Sequence, residues 1–142
     1  MTLCPTGAVG RYFLKTPLPH QDYKGFEPDV LLSPQQIYDL SKLGIEGVIR
    51  HTPGHTEGSI SVVLSCNEAL VGDLVASGIL IGGVVRLGRA IRPPFEDDPQ
   101  AVREELNRLA DSGVTRFFMG HGGPLRTAEV RRHADSLRGK SL

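Results

Sequence analysis

The chain has 142 residues, 39% of them hydrophobic and 23% charged, a size and make-up that suit one soluble globular domain with a sizeable core. Sixteen basic residues balance sixteen acidic ones, so no net charge draws it to nucleic acid or an anionic membrane surface. No segment has the form of a signal peptide and no run approaches the roughly 20 apolar residues of a membrane span, which makes a soluble cytoplasmic protein the expectation.

No repeat, low-complexity tract or linker divides residues 1–142, which read as a single domain. Residues 1–35 are the least regular, with Pro5, Pro17, Pro19, Pro28 and Pro34 spread through them; Tyr12–Leu14 and Val30–Leu32 are predicted as short strands. Ser33-Pro34 has the form of a helix start, with Ile37, Leu40 and Leu43 on its buried side and Gly44 as its end; a strand and turn compete with it. From Gly47 to Val75 the pattern is β. Val48-Ile49 leads into a loop at Thr52–Ser59, Ile60–Leu64 is a β-branched strand, Cys66-Asn67-Glu68 turns, and Ala69–Val71 is a short buried strand. Ile79–Leu87 is apolar and glycine-bearing, either strand or loop. Pro99–Ser112 is predicted as a helix, with Asp98 as N-cap, Val102, Leu106 and Leu109 on one face, Gly113 at the stop, and Glu104 and Arg108 paired outside. Val114–Met119 is the next strand, and a last helix from Thr127 to Leu137 turns Val130, Ala134 and Leu137 inward. This order points to a layered α/β arrangement. Of the two cysteines, Cys66 reads as a small buried hydrophobe, and a disulfide to Cys4 stays open.

Seventeen glycines and ten prolines fall mostly in loops beside strands, the pattern of a site built on loops over a rigid scaffold. Three metal-grade side chains lie in such places. His55 sits in Thr52-Pro53-Gly54-His55-Thr56-Glu57-Gly58-Ser59, where Thr52, Thr56 and Ser59 supply hydroxyls to orient its ring. Asp73 follows Ala69-Leu70-Val71-Gly72 at the exit of a buried strand, and His121 lies in Gly120-His121-Gly122-Gly123-Pro124 after another. Each has a plainer reading: a solvated loop histidine, a turn-capping aspartate, a glycine-flanked loop histidine. Together their nitrogen and oxygen donors suit zinc, and iron or manganese less exclusively. They stand far apart in sequence, so the site would form by tertiary folding. His51 alternates with Ile49 on its strand, while His20 and His133 read as surface residues. Arg86, Arg89 and Arg92 read as a solvated basic face, with contact to an anionic substrate as the other option.

These blocks resemble the metallo-β-lactamase superfamily: Thr52–Ser59 matches its TPGHTxGS loop, Val71-Gly72-Asp73 its GD block, and Gly120-His121-Gly122-x-Pro124 its GHGxP block. The resemblance runs from about Phe26 to the C-terminus. It implies part of an αββα sandwich, the C-terminal half, with a mixed β-sheet and flanking helices. It implies His55 as a ligand of a first metal, Asp73 as a carboxylate bridging two metals and His121 as a ligand of the second. The implied activity is hydrolysis of a small-molecule substrate by a metal-bound hydroxide. The family's HxHxDH motif has no counterpart; the nearest string is Leu18-Pro19-His20-Gln21-Asp22-Tyr23. The chain therefore reads as beginning after that motif, as a hydrolase incomplete or inactive in isolation. An exposed sheet edge and apolar face are expected, with a homodimer or a complementing N-terminal half as partner. The alternative is a non-catalytic, truncated member that serves as an interaction or dimerisation module.

Overall fold

The computed structural model describes residues 3–22, 24–79 and 85–139. Its backbone is a six-stranded sheet built from β1 (Ile37–Asp39), β2 (Gly47–His51), β3 (Ile60–Leu64), β4 (Glu68–Leu70), β7 (Arg116–Phe118) and β8 (Leu125–Arg126), in that spatial order. The intervening strands β5 (Ala76–Ile79) and β6 (Val85–Ile91) form a separate antiparallel pair. All neighbours in the large sheet are antiparallel except β4 and β7. Strands β2 and β4 each oppose β3, so β2, β4 and β7 point the same way and their C-terminal ends share one edge of the sheet.

Alternation sorts the side chains. Val48, Val63, Ala69, Phe117 and Leu125 lie directly opposite one another along one row. Ala69, Phe117 and Leu125 belong to the buried core, with Val63 packed against it, so this row marks the covered face. Two helices complete that core, α2 (Pro99–Asp111) with Val102, Leu106 and Leu109, and α3 (Thr127–Ser136) with Val130 and Ala134, followed by Leu137. Helix α2 forms as its sequence dictates. Asp98 caps it by accepting from Gln100 N–H and Ala101 N–H at 2.8 and 3.0 Å, Pro99 supplies a fixed φ, and Gly113 leaves it at φ 96°. On its surface Arg108 pairs with Glu105 at 2.6 Å, one residue from the predicted Glu104, which instead accepts from Gln100. The nearly buried Glu105 gains more from a charge partner than the exposed Glu104 does, although burial pushes its pKa up.

The N-terminal expectations are corrected. Tyr12–Leu14 is not a strand; a short helix α1 (Ala8–Phe13) covers it, and Phe13 packs edge to face on Phe95 with centroids 5.5 Å apart. Val30–Leu32 is irregular, with Val30 and Leu31 exposed, and no described strand pairs with it. At residues 33–44 the strand-and-turn reading holds: Ile37–Asp39 pairs with β2, a 3₁₀ turn follows at Ser41–Leu43, and Gly44 ends it at φ 75°. Only Leu40 of the expected apolar side is buried, because ladder bonds to β2 outweigh a weak helix start. Cys66 is a free thiol, exposed in the Ser65–Asn67 turn rather than buried. In Ile79–Leu87, strand is found at both ends, with 80–84 outside the described residues. No helix among the described residues is long and apolar enough to cross a membrane.

Candidate metal centre

All three candidate donors follow the C-terminal ends of the three strands that run together: His55 after β2, Asp73 after β4, His121 after β7. The loop after β2 is closed by its own backbone, Thr52 N–H donating to Ser59 O at 2.8 Å. Its hydroxyls hold the loop rather than the ring, a correction to the expectation. Thr52 Oγ1 meets Ser61 Oγ at 2.8 Å in a fully buried pair, and Thr56 Oγ1 meets Ser59 Oγ at 2.9 Å. Gly54 lies so close to α2 that a Cβ there would stand 2.5 Å from Val102 N. Its carbonyl accepts from Asp97 N–H and Asp98 N–H at 3.0 and 2.8 Å, pinning the loop to the start of α2. His51 keeps its β2 position and reaches Glu57 O through Nε2 at 2.6 Å.

Gly72 turns the chain out of β4 at φ 54° and accepts from Gly120 N–H at 3.0 Å, which ties the second loop to the third. A side chain at Gly120 would meet Asp73 Oδ1 at 2.7 Å. Past His121, a Cβ on Gly122 would stand 1.6 Å from Ser77 O. The reason is Ser77 itself, wholly buried on β5: its N–H donates to His121 O at 2.9 Å and its hydroxyl to Gly123 O at 2.8 Å. No motif marked Ser77; a polar residue inside Leu74–Ile79 was the only available signal.

The outcome is one carboxylate between two imidazoles. Asp73 Oδ1 lies 2.9 Å from His121 Nδ1, and Oδ2 lies 3.9 Å from His55 Nε2. The side chains are 21% exposed for His55, 30% for Asp73 and 75% for His121, so the group faces solvent at the sheet edge. His55 Nδ1, the ring nitrogen other than the one nearest Asp73, is buried with no hydrogen-bond partner. The donor chemistry therefore fits a borderline metal such as zinc. The geometry fits only half a centre. Among the described residues no three His, Cys, Asp or Glu side chains converge to hold one ion, whereas a catalytic zinc takes three protein ligands and a water.

The remaining candidates separate from this group. His20 is exposed in a 3₁₀ turn and bonds Leu14 O at 3.1 Å, as expected of a surface residue. His133 is the reverse of its expectation, 5% exposed on the inner side of α3, because the α2–α3 packing takes in that position. Arg92 does not belong to a solvated basic face: its Nε lies 2.7 Å from the buried carboxylate of Glu96. Arg89 is exposed, and the Arg86 side chain falls outside the described residues.

No protein-family model and no curated protein matches the sequence. Among solved structures the chain is similar to an archaeal metallo-β-lactamase superfamily protein from Sulfolobus tokodaii, with 21% identity and a TM-score of 0.53, over 84% of this chain and 46% of that one. It is similar to VMB-1 at 14% identity and a TM-score of 0.51, over 92% of this chain and 53% of that one. A double mutant of the sec-alkyl sulfatase PisA1 is similar at 14% identity and 0.51, over 79% of this chain and 18% of that one. The chain thus spans about half the length of the first two and less of the third. Its mixed sheet with flanking helices is part of the metallo-β-lactamase fold.

Proposed function

We propose that the chain is part of a metal-dependent hydrolase of the metallo-β-lactamase superfamily, with His55, Asp73 and His121 as its metal donors. The observation that carries this reading is the Asp73 carboxylate set between two histidines at the common end of β2, β4 and β7. Zinc is the expected ion, with iron or manganese compatible with the same donors. When bound, such a metal lowers the pKa of a coordinated water to about 7 and polarises the bond to be cleaved.

What the chain itself supplies is placement. Glycines at 54, 120 and 122 let the loops approach α2, Asp73 and Ser77 more closely than a side chain would allow, a placement that serves pre-organisation of a charged centre. Asp73 provides the negative charge, and the exposed rim leaves room for a small-molecule substrate. Because no three donors converge among the described residues, the isolated chain is expected to bind metal weakly and to be inactive alone. Equilibrium dialysis against zinc, with metal content read by atomic spectroscopy, tests the assignment. Asp73→Ala is expected to weaken uptake about tenfold or more, a loss of about 1.4 kcal/mol or greater. Equal uptake by the wild type and Asp73→Ala, His55→Ala and His121→Ala would sink it.

A further inference from the structure

Pro93-Pro94 carries two carbonyls and no N–H, so this stretch accepts hydrogen bonds but cannot donate to a sheet ladder. The N-terminal segment supplies the donors. Thr6 N–H donates to Pro94 O at 2.9 Å and the Thr6 hydroxyl donates to Pro93 O. Pro5 bridges Phe95, and Glu96 N–H donates back to Cys4 O at 3.0 Å. Phe13 of α1 rests edge to face on Phe95. Gly10 is buried where α1 meets this stretch, and a Cβ there would stand 2.3 Å from Pro94 O. Residues 92–96 are also braced from within: Glu96 is wholly buried, and its carboxylate accepts from Arg92 Nε at 2.7 Å.

The next two residues reach the candidate metal centre. Asp97 N–H donates to Gly54 O and His55 O at 3.0 and 3.1 Å, and Asp98 N–H donates to Gly54 O at 2.8 Å. His121 is held from elsewhere, by Ser77 N–H on its carbonyl, by the Ser77 hydroxyl on Gly123 O, and by Gly120 N–H on Gly72 O. The two sets of bonds share no residue. We propose that residues 5–13 position His55 through residues 93–98, so that the two ends of the centre stand on separate supports: His55 on the N-terminal segment, His121 on Ser77 of β5. Displacing the N-terminal segment then loosens one end and leaves the other in place. The positioning rests on these contacts alone; that the positioned imidazole is a metal donor rests on the reading above.

Gly10→Ala tests it. Gly10 has no positive φ and alanine is the better helix former, so the substitution favours α1 itself and adds only the clash with Pro94 O. Gly7→Ala is the control, because a Cβ there meets nothing within 4 Å. Amide exchange and imidazole ¹⁵N shifts are read at fixed pH on the full chain in EDTA, so that failure to bind metal does not bear on the result. In Gly10→Ala the protection of the Asp97 and Asp98 amides is expected to fall at least about fivefold relative to that of the Ser77 and Gly120 amides, the worth of one hydrogen bond. The ring signals of His55 shift while those of His121 stay, and Gly7→Ala leaves both unchanged. If Gly10→Ala fails to fold, Thr6→Val, which removes the hydroxyl bond to Pro93 O, is read for the same pattern. Equal loss of protection at all of these amides, as general loosening gives, overturns the proposal. So does protection at Asp97 and Asp98 that matches the wild type, or a His121 ring that shifts with His55.

Discussion

Gly122 offers the sharpest test of how the third donor loop is built. Its φ is 106°, and a Cβ would stand 1.6 Å from Ser77 O and 2.7 Å from Ser77 Oγ. Ordinary carbon–oxygen contact lies near 3.5 Å, so Gly122→Ala forces the loop away from β5 by well over ~1 Å. That movement breaks the bonds from Ser77 N–H to His121 O and from the Ser77 hydroxyl to Gly123 O. Two such bonds contribute about 1 kcal/mol each, and a non-glycine residue at positive φ costs about 1–2 kcal/mol more. The expected destabilisation is about 3–4 kcal/mol, a large share of the ~5–15 kcal/mol that holds a domain together. Gly72→Ala is the control. Its φ is 54° but a Cβ there meets nothing within 4 Å, so only the conformational cost of about 1–2 kcal/mol applies. Urea unfolding followed by circular dichroism gives both values. If Gly122→Ala costs no more than Gly72→Ala, the reasoning about the Ser77 contact is wrong.

Two further predictions concern buried polarity and pH. The Thr52–Ser61 hydroxyl pair is fully buried, so Thr52→Val leaves Ser61 without its partner and is expected to cost about 1–3 kcal/mol. Thr52→Val with Ser61→Ala should cost less than the two single changes summed; strict additivity in a double-mutant cycle would refute the pairing. The hydrogen bond from Arg132, backed by Ala90 N–H, lowers the pKa of Glu129 from 4.5 to about 2. A carboxylate lowered in the fold contributes stability that is present above pH 4.5 and lost as pH falls through about 2. Thermal melting from pH 5 to pH 2 should therefore fall less steeply for Glu129→Gln than for the wild type, and parallel curves would contradict the assignment.

Much of the site was legible because glycine and strand patterns carry direct geometric meaning. Val48-Ile49, Ala69–Val71 and Val114–Met119 each read as a strand that delivers a candidate donor, and the structure places His55, Asp73 and His121 on one sheet edge. The cap and stop of α2 were readable for the same reason, since Asp98, Pro99 and Gly113 act locally. Features set by distant contacts were not readable. The short helix at Ala8–Phe13 owes its place to Pro94 and Phe95, the burial of His133 to the packing of α3, and the loop's hydroxyl bonding to Ser61 on the next strand. Ser77 holds the His121 loop through two bonds across the sheet pair, and periodicity carries no sign of them.

Asp73, between His55 and His121, is proposed to make these two histidines the metal donors of the chain. Long-range ¹H–¹⁵N correlation spectra of the imidazole rings during a zinc titration test it most directly. The ring nitrogens of His55 and His121 are expected to shift together, while those of His20, His51 and His133 stay in place. Shifts at His20, His51 or His133 with His55 and His121 unmoved would contradict it.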